Sequence, residues 1–180
     1  MPEQTPVPLE ASPADRIAAA VTAYGERETI ERAAALLGGV NAGEEFLLYV
    51  GGVHAQGLLN GAPALYWPEL WGARALMYVW DDSASIAIQA GLTNQAWRVR
   101  EMCAKVVALR ELPFSEFLTP MLTDDVPRVR AAAARALGQV ATFEDAAIIK
   151  NLLKDSEIDV RRAAGESLKV VAERFGRPVE

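Results

Sequence analysis

Asp124-Asp125-Val126-Pro127-Arg128-Val129-Arg130-Ala131-Ala132-Ala133-Ala134-Arg135-Ala136-Leu137-Gly138 decides the fold. The stretch opens on an acidic turn and places a proline at a helix start, where no backbone donor is needed. A Val-Arg pair and a stripe of small apolar residues follow, and a glycine closes it. The same pattern lies 30 residues upstream, where Val99-Arg100 lead into Met102, Cys103, Val106 and Val107. It returns 31 residues downstream, where Val160-Arg161 lead into Ala163, Ala164 and Leu168. A pattern that recurs at this period marks stacked helical units, each burying its apolar face against the next.

Working outward from this stretch, paired helices are expected at about 83–91 and 97–110, 114–122 and 127–140, and 143–153 and 158–175. The turns between them hold Asn94, Asp124 and Asp155, each six residues before its arginine. Upstream, Trp67-Pro68-Glu69-Leu70-Trp71 reads as a degenerate unit whose helix continues to about Trp80, with Trp71 in the place of the paired arginine. Before it, Ser12-Pro13 caps a helix to Tyr24. Gly25 breaks that helix, a second runs from Glu26 to Leu37, and shorter ones cover Glu44–Val50 and Val53–Leu59. The expected organisation is a flexible tail over 1–11 and one α-solenoid domain over 12–180. Within that domain, 12–66 is an irregular helical cap, 67–82 the degenerate repeat and 83–175 the regular repeats.

Composition narrows the chemistry. Of 180 residues 51% are hydrophobic, enough for one continuous core. The opening has neither a basic nor an apolar leader segment, and no uncharged run is long enough to span a bilayer. A cytoplasmic protein without a membrane span is expected. Cys103 stands alone, which excludes an internal disulfide and a thiolate zinc site, and its place on an apolar stripe makes it a core residue. Residues 1–93 carry four Arg/Lys against eleven Asp/Glu, a net of -7, and residues 94–180 carry fourteen against thirteen, a net of +1, together the -6 of the chain. That balance argues against general nucleic-acid binding, which draws on Lys and Arg neutralising phosphates.

The spacing, with Asn94/Arg100, Asp124/Arg130 and Asp155/Arg161, resembles the HEAT repeat family, in particular its short bacterial, phycobilisome-lyase-like type, over about 83–175. The resemblance implies an all-α fold: a right-handed α-α superhelix of antiparallel helix pairs, with the second helix of each pair on the concave side. It also implies that turn Asp and Arg form a ladder between neighbouring units, which makes Asp124, Arg130, Asp155 and Arg161 architectural. Asn94 weakens its own rung, having no charge. The planar fork of arginine suits that bridging role better than lysine.

Two surfaces remain for a partner. Arg98, Arg128 and Arg162, with Lys105 and Arg135, are expected to point away from the apolar stripe and line a modestly basic strip, interrupted by Glu101, Asp159 and Glu166. Trp67, Trp71 and Tyr78 share a helical face by spacing. They are either rings filling the junction ahead of the repeats or an anchor site, and in the second case Glu69, Asp81 and Asp82 favour a basic partner. The partner-binding candidates are therefore Trp67, Trp71, Tyr78, Asp81, Arg98, Arg128, Arg135 and Arg162. His54 is the lone histidine and has no metal or acid-base constellation around it, Gly51-Gly52 lacks the spacing of a phosphate loop, and no serine sits in a nucleophile elbow. No cofactor is expected, and enzymatic function has no positive support.

The leading reading is a non-catalytic module or scaffold that binds a protein or peptide. The resemblance also brings a HEAT-like alkylpurine DNA glycosylase or other DNA-binding protein, and an accessory protein of a lyase-type or chromophore enzyme. The sequence leaves oligomeric state open.

Overall fold

A computed structural model describes residues 6–179 and is all-helical, with no strand among them. The chain divides after Gly91 into two compact units. Part of the tail expected over 1–11 lies outside the described residues. Within the rest, Leu9 and Ala11 close turns on Val7 and Pro8, and the Ala11 carbonyl accepts from Arg16.

The first unit holds α1 (Pro13–Tyr24), α2 (Glu26–Leu37), α3 (Glu44–Gly51), α4 (Val53–Leu59), α5 (Trp67–Ala75) and α6 (Ser85–Gly91), the last preceded by a 3-10 turn over Asp82–Ala84. Ser12 caps α1 as its sequence suggests, accepting from the Asp15 amide at 3.2 Å. Gly25, at φ 83°, separates α1 from α2 in a backbone conformation that suits glycine. Ile17, Ile30, Ala33, Phe46, Val50 and Trp71 are buried in this unit. The closest packing is α5 on α2: a Cβ at Gly72 would stand 2.5 Å from the Ala33 carbonyl oxygen and 2.8 Å from the Leu37 nitrogen, so only glycine allows that approach. Gly51 serves a ring in the same way, since a Cβ there would meet the Trp71 indole at 2.5 Å.

α5 stops at Ala75 and does not run on to Trp80. The amides of Met77 and Tyr78 turn back to the carbonyls of Arg74 and Ala75, three residues away, and tighten the end into a turn. Tyr78 therefore lies outside the helix that carries Trp67 and Trp71, and the three rings do not share a helical face.

The second unit holds α7 (Trp97–Arg110), α8 (Ser115–Leu118), α9 (Pro127–Val140), α10 (Phe143–Ala146) and α11 (Ile158–Phe175). The long helices α7, α9 and α11 match the expected ranges. Their partners do not form the single helices expected over 114–122 and 143–153: α8 passes into a 3-10 segment over Thr119–Thr123 and α10 into one over Ala147–Lys154. Pro120 explains the first change, because it has no amide to continue the α ladder. α7 packs on α9 and α9 on α11. The alanine stripe lets the helices approach closely, and a Cβ at Gly138 would lie 3.0 Å from that of Ser167. Val99, Cys103, Val106, Val129, Ala133, Leu137, Val160 and Ala164 are wholly buried. Burial pushes the Cys103 thiol pKa well up, as its place on the stripe implies.

Candidate functional site

The ladder joins the repeats. At each turn Asn94, Asp124 or Asp155 accepts through Oδ1 from the amide two residues on, at 2.8, 2.9 and 3.0 Å, which fixes the turn before the long helix. Arg100, Arg130 and Arg161 each clip their own turn by donating from Nη1 to its carbonyls: Asn94 at 2.9 Å, Asp124 at 2.8 Å and Asp155 at 2.7 Å. Arg100 also places Nε and Nη2 on Asp124 at 2.8 and 3.0 Å, and Arg130 places the same edge on Asp155 at 2.8 and 2.9 Å. These are bidentate, charge-assisted bonds with little solvent contact; the Arg130 and Asp155 side chains are 14% and 9% exposed. Arg161 has the same clip, but its Nε and Nη2 meet no carboxylate among the described residues.

The ladder also sets the carboxyl acidities. Burial opposes ionisation of Asp124, but hydrogen bonds from Arg100 and the Val126 amide outweigh it and hold the carboxyl below its ordinary value. The Arg130 hydrogen bond dominates at Asp155 and lowers it too, while Arg130 itself is raised by that bond. At the far end, Arg174 donates to the carbonyls of Gly138 and Ala141 at 2.8 and 3.1 Å, which satisfies the open end of α9.

The arginines beside the ladder form a paired surface. Trp97, absent from the sequence-based candidates, is flanked by two of them: Arg98 lies 4.4 Å and Arg128 5.5 Å from its ring centroid. Arg128 also pairs with Glu101 at 3.2 Å, and Lys105 reaches the same carboxylate at 2.9 Å. Arg135 lies 3.8 Å from Glu166, and Arg162 3.4 Å from Asp159. Counted from the ladder arginines, Arg98, Arg128 and Asp159 are equivalent, and so are Glu101, Ala131 and Arg162. Arg162 thus stands one place after its ladder arginine rather than two before it, and does not continue the Arg98/Arg128 column. The column turns acidic at α11, so the strip is a mixed-charge surface.

In the first unit, Trp71 is buried and Trp67 half-buried, stacked with ring centroids 6.1 Å apart. Tyr78 is exposed, and so is Asp81, which caps the turn at Ser83 with its amide 2.8 Å from Oδ1; hydrogen bonds from Ser83 lower that carboxyl pKa. Trp67 and Trp71 wall a cleft of about 470 Å³ that also takes in His54, Leu58, Pro63 and Arg74. Among the described residues no group of His, Cys, Asp and Glu side chains could hold a metal ion, and no helix is long and apolar enough to cross a membrane.

Helix pairs joined turn to turn through an Arg–Asp ladder define a repeat array. Residues 85–169, from the start of α6 into α11, match the family model of HEAT repeats. HEAT repeats commonly serve as protein-interaction scaffolds and are typically non-catalytic. No curated protein matches the chain.

Proposed function

We propose that the chain is a non-catalytic protein-interaction module of the cytoplasm, and that a protein partner docks on the α7–α9 surface around Trp97. The single observation that carries this reading is the indole flanked by Arg98 and Arg128. Trp and Arg are the residue types that dominate interface energetics, and here the indole lies against both arginines while Glu101 holds Arg128. The neighbouring charges are of both signs and paired, which suits a mixed-charge protein surface better than a phosphate backbone.

Photo-crosslinking from position 105 tests the proposal. Lys105 is exposed beside Glu101, whereas Glu116 is exposed on α8. A crosslinked protein is expected from position 105 and not from position 116, with loss of the adduct on Trp97→Ala and on Arg128→Glu. Equal crosslinking from both positions, or an adduct indifferent to both substitutions, overturns it. Retention of duplex DNA at moderate salt that Arg128→Glu removes would favour the nucleic-acid reading instead.

A further inference from the structure

Four arginines serve the acidic first half of the chain, and they are treated differently. Arg27 and Arg32 lie on α2 and pair with Glu31 and Glu28 at 2.8 and 2.7 Å. Arg16 and Arg74 pair with no carboxylate among the described residues, although this half holds eleven. Backbone carbonyls hold them instead. Arg16 donates from Nε to Tyr49 at 3.0 Å and from Nη1 to Ala11, and Arg74 donates from Nη2 to Val50 at 2.7 Å. Gly52 makes room for this arrangement, since a Cβ there would stand 2.9 Å from the Arg16 guanidinium.

Arg74 lines the indole-walled cleft with donors to spare. Its Nε and Nη1 donate to no described group. Yet no side-chain nitrogen cut off from solvent goes without a hydrogen bond among the described residues, so these two face accessible space. Desolvation lowers the Arg74 pKa and Arg16 nearby lowers it further, but a guanidinium stays cationic in proteins. A cation with its solvation reduced and no carboxylate partner among the described residues, at the wall of a mostly apolar cleft of about 470 Å³, has the makings of a small-molecule site: mostly apolar lining, two polar side chains, Arg74 and His54, to fix orientation, and a volume in the usual range.

We propose that this cleft binds a small organic monocarboxylate, its carboxylate on the open N–H groups of Arg74 and its apolar body against Trp67 and Trp71. One lining cation matches a monoanion, and charge-assisted hydrogen bonds to a guanidinium are strongest for an ionised oxygen. The half-buried Trp67 ring, with the buried Trp71 stacked behind it, and Leu58 match an aliphatic or aromatic body rather than a sugar or a free phosphate. The site is confined to the first unit and is independent of the partner surface around Trp97.

Titrating the full chain with cyclohexanecarboxylate and, separately, with the isosteric neutral cyclohexanecarboxamide tests it, followed by calorimetry and by the NMR signals of the four indole N–H groups. The carboxylate is expected to bind saturably, to move the signals of Trp67 and Trp71 and leave that of Trp97 in place, and to bind at least about tenfold tighter than the amide. Arg74→Met is expected to abolish the preference and Arg74→Lys to keep part of it. If neither variant folds, the acid-to-amide ratio and the location of the shifts in the unaltered chain decide. No saturable shift at Trp67 and Trp71, or equal affinity for acid and amide, overturns the proposal.

Discussion

The two units differ in how they hold their most enclosed arginines. In the second, Arg100 and Arg130 bridge a turn to the next through two parallel bonds to an aspartate, and charge is cancelled where it is buried. In the first, the closest helix contact is steric, at Gly72, and the enclosed arginines Arg16 and Arg74 are held by carbonyls that leave their charge uncancelled. An arginine that recurs once per repeat is a joint and is spent on structure. One fixed by backbone oxygens in a non-repeating unit keeps a positive field that its own fold does not consume.

Removing a joint should break that contrast most visibly. Arg130→Met strands Asp155 in a mostly enclosed place and is expected to cost about 3 kcal/mol in urea unfolding, whereas Arg161→Met, which loses bonds to turn carbonyls and a lesser charge interaction with Asp155, should cost about 1 kcal/mol. Near-equal costs for the two would mean that the carboxylate edge contributes little. Gly72→Ala attacks the steric contact of the first unit and is expected to cost about 2 kcal/mol, with hydrogen exchange rising in α2 and α5 before α9.

Acid should separate the units by a smaller amount. Asp124 and Asp155 have lowered carboxyl pKa values in the folded chain, so the stability they contribute is complete above the unfolded value of about 3.9 and is lost as pH falls through the folded values. The destabilisation caused by Asp155→Asn, measured at pH 7, should therefore shrink at pH 2.5. Smallest of all, Arg135→Ala removes a long, exposed pair with Glu166 and should change stability by less than about 0.5 kcal/mol.

Much of the second unit could be read from its residues. The six-residue interval from Asn94, Asp124 and Asp155 to the arginine, together with the apolar stripe, locates α7, α9 and α11 and names the ladder residues, but not their pairing. Each carboxylate bridge runs to the next turn, from Arg100 to Asp124 and from Arg130 to Asp155, so Asn94 leaves the Arg100 rung intact. The 3-10 segments were not legible, because an apolar run reads alike whether it closes on the third or the fourth residue. Trp97 as a centre was also hidden. Its two flanking arginines come from different helices, and only Arg98 is a sequence neighbour. The cleft shows why site legibility ends sooner than fold legibility. Trp67, Trp71 and Arg74 lie on α5 in a visible order, but His54 and Leu58 come from α4, and the group that holds Arg74 is a carbonyl, which no side-chain pattern encodes.

The ladder fixes which parts of a repeat can change length. From turn residue to arginine the count is six in all three units, because one guanidinium must reach back to its own turn while facing the next. From arginine to the following aspartate the count is 24 in one step and 25 in the other, and the paired bonds differ by no more than 0.1 Å. One added residue in the α9-to-α11 connection is thus absorbed without a trace at the rung, while the same residue between Asp124 and Arg130 would turn the fork away from both its partners. Insertions and deletions in such an array are filtered by place: the connection tolerates them, and the turn does not.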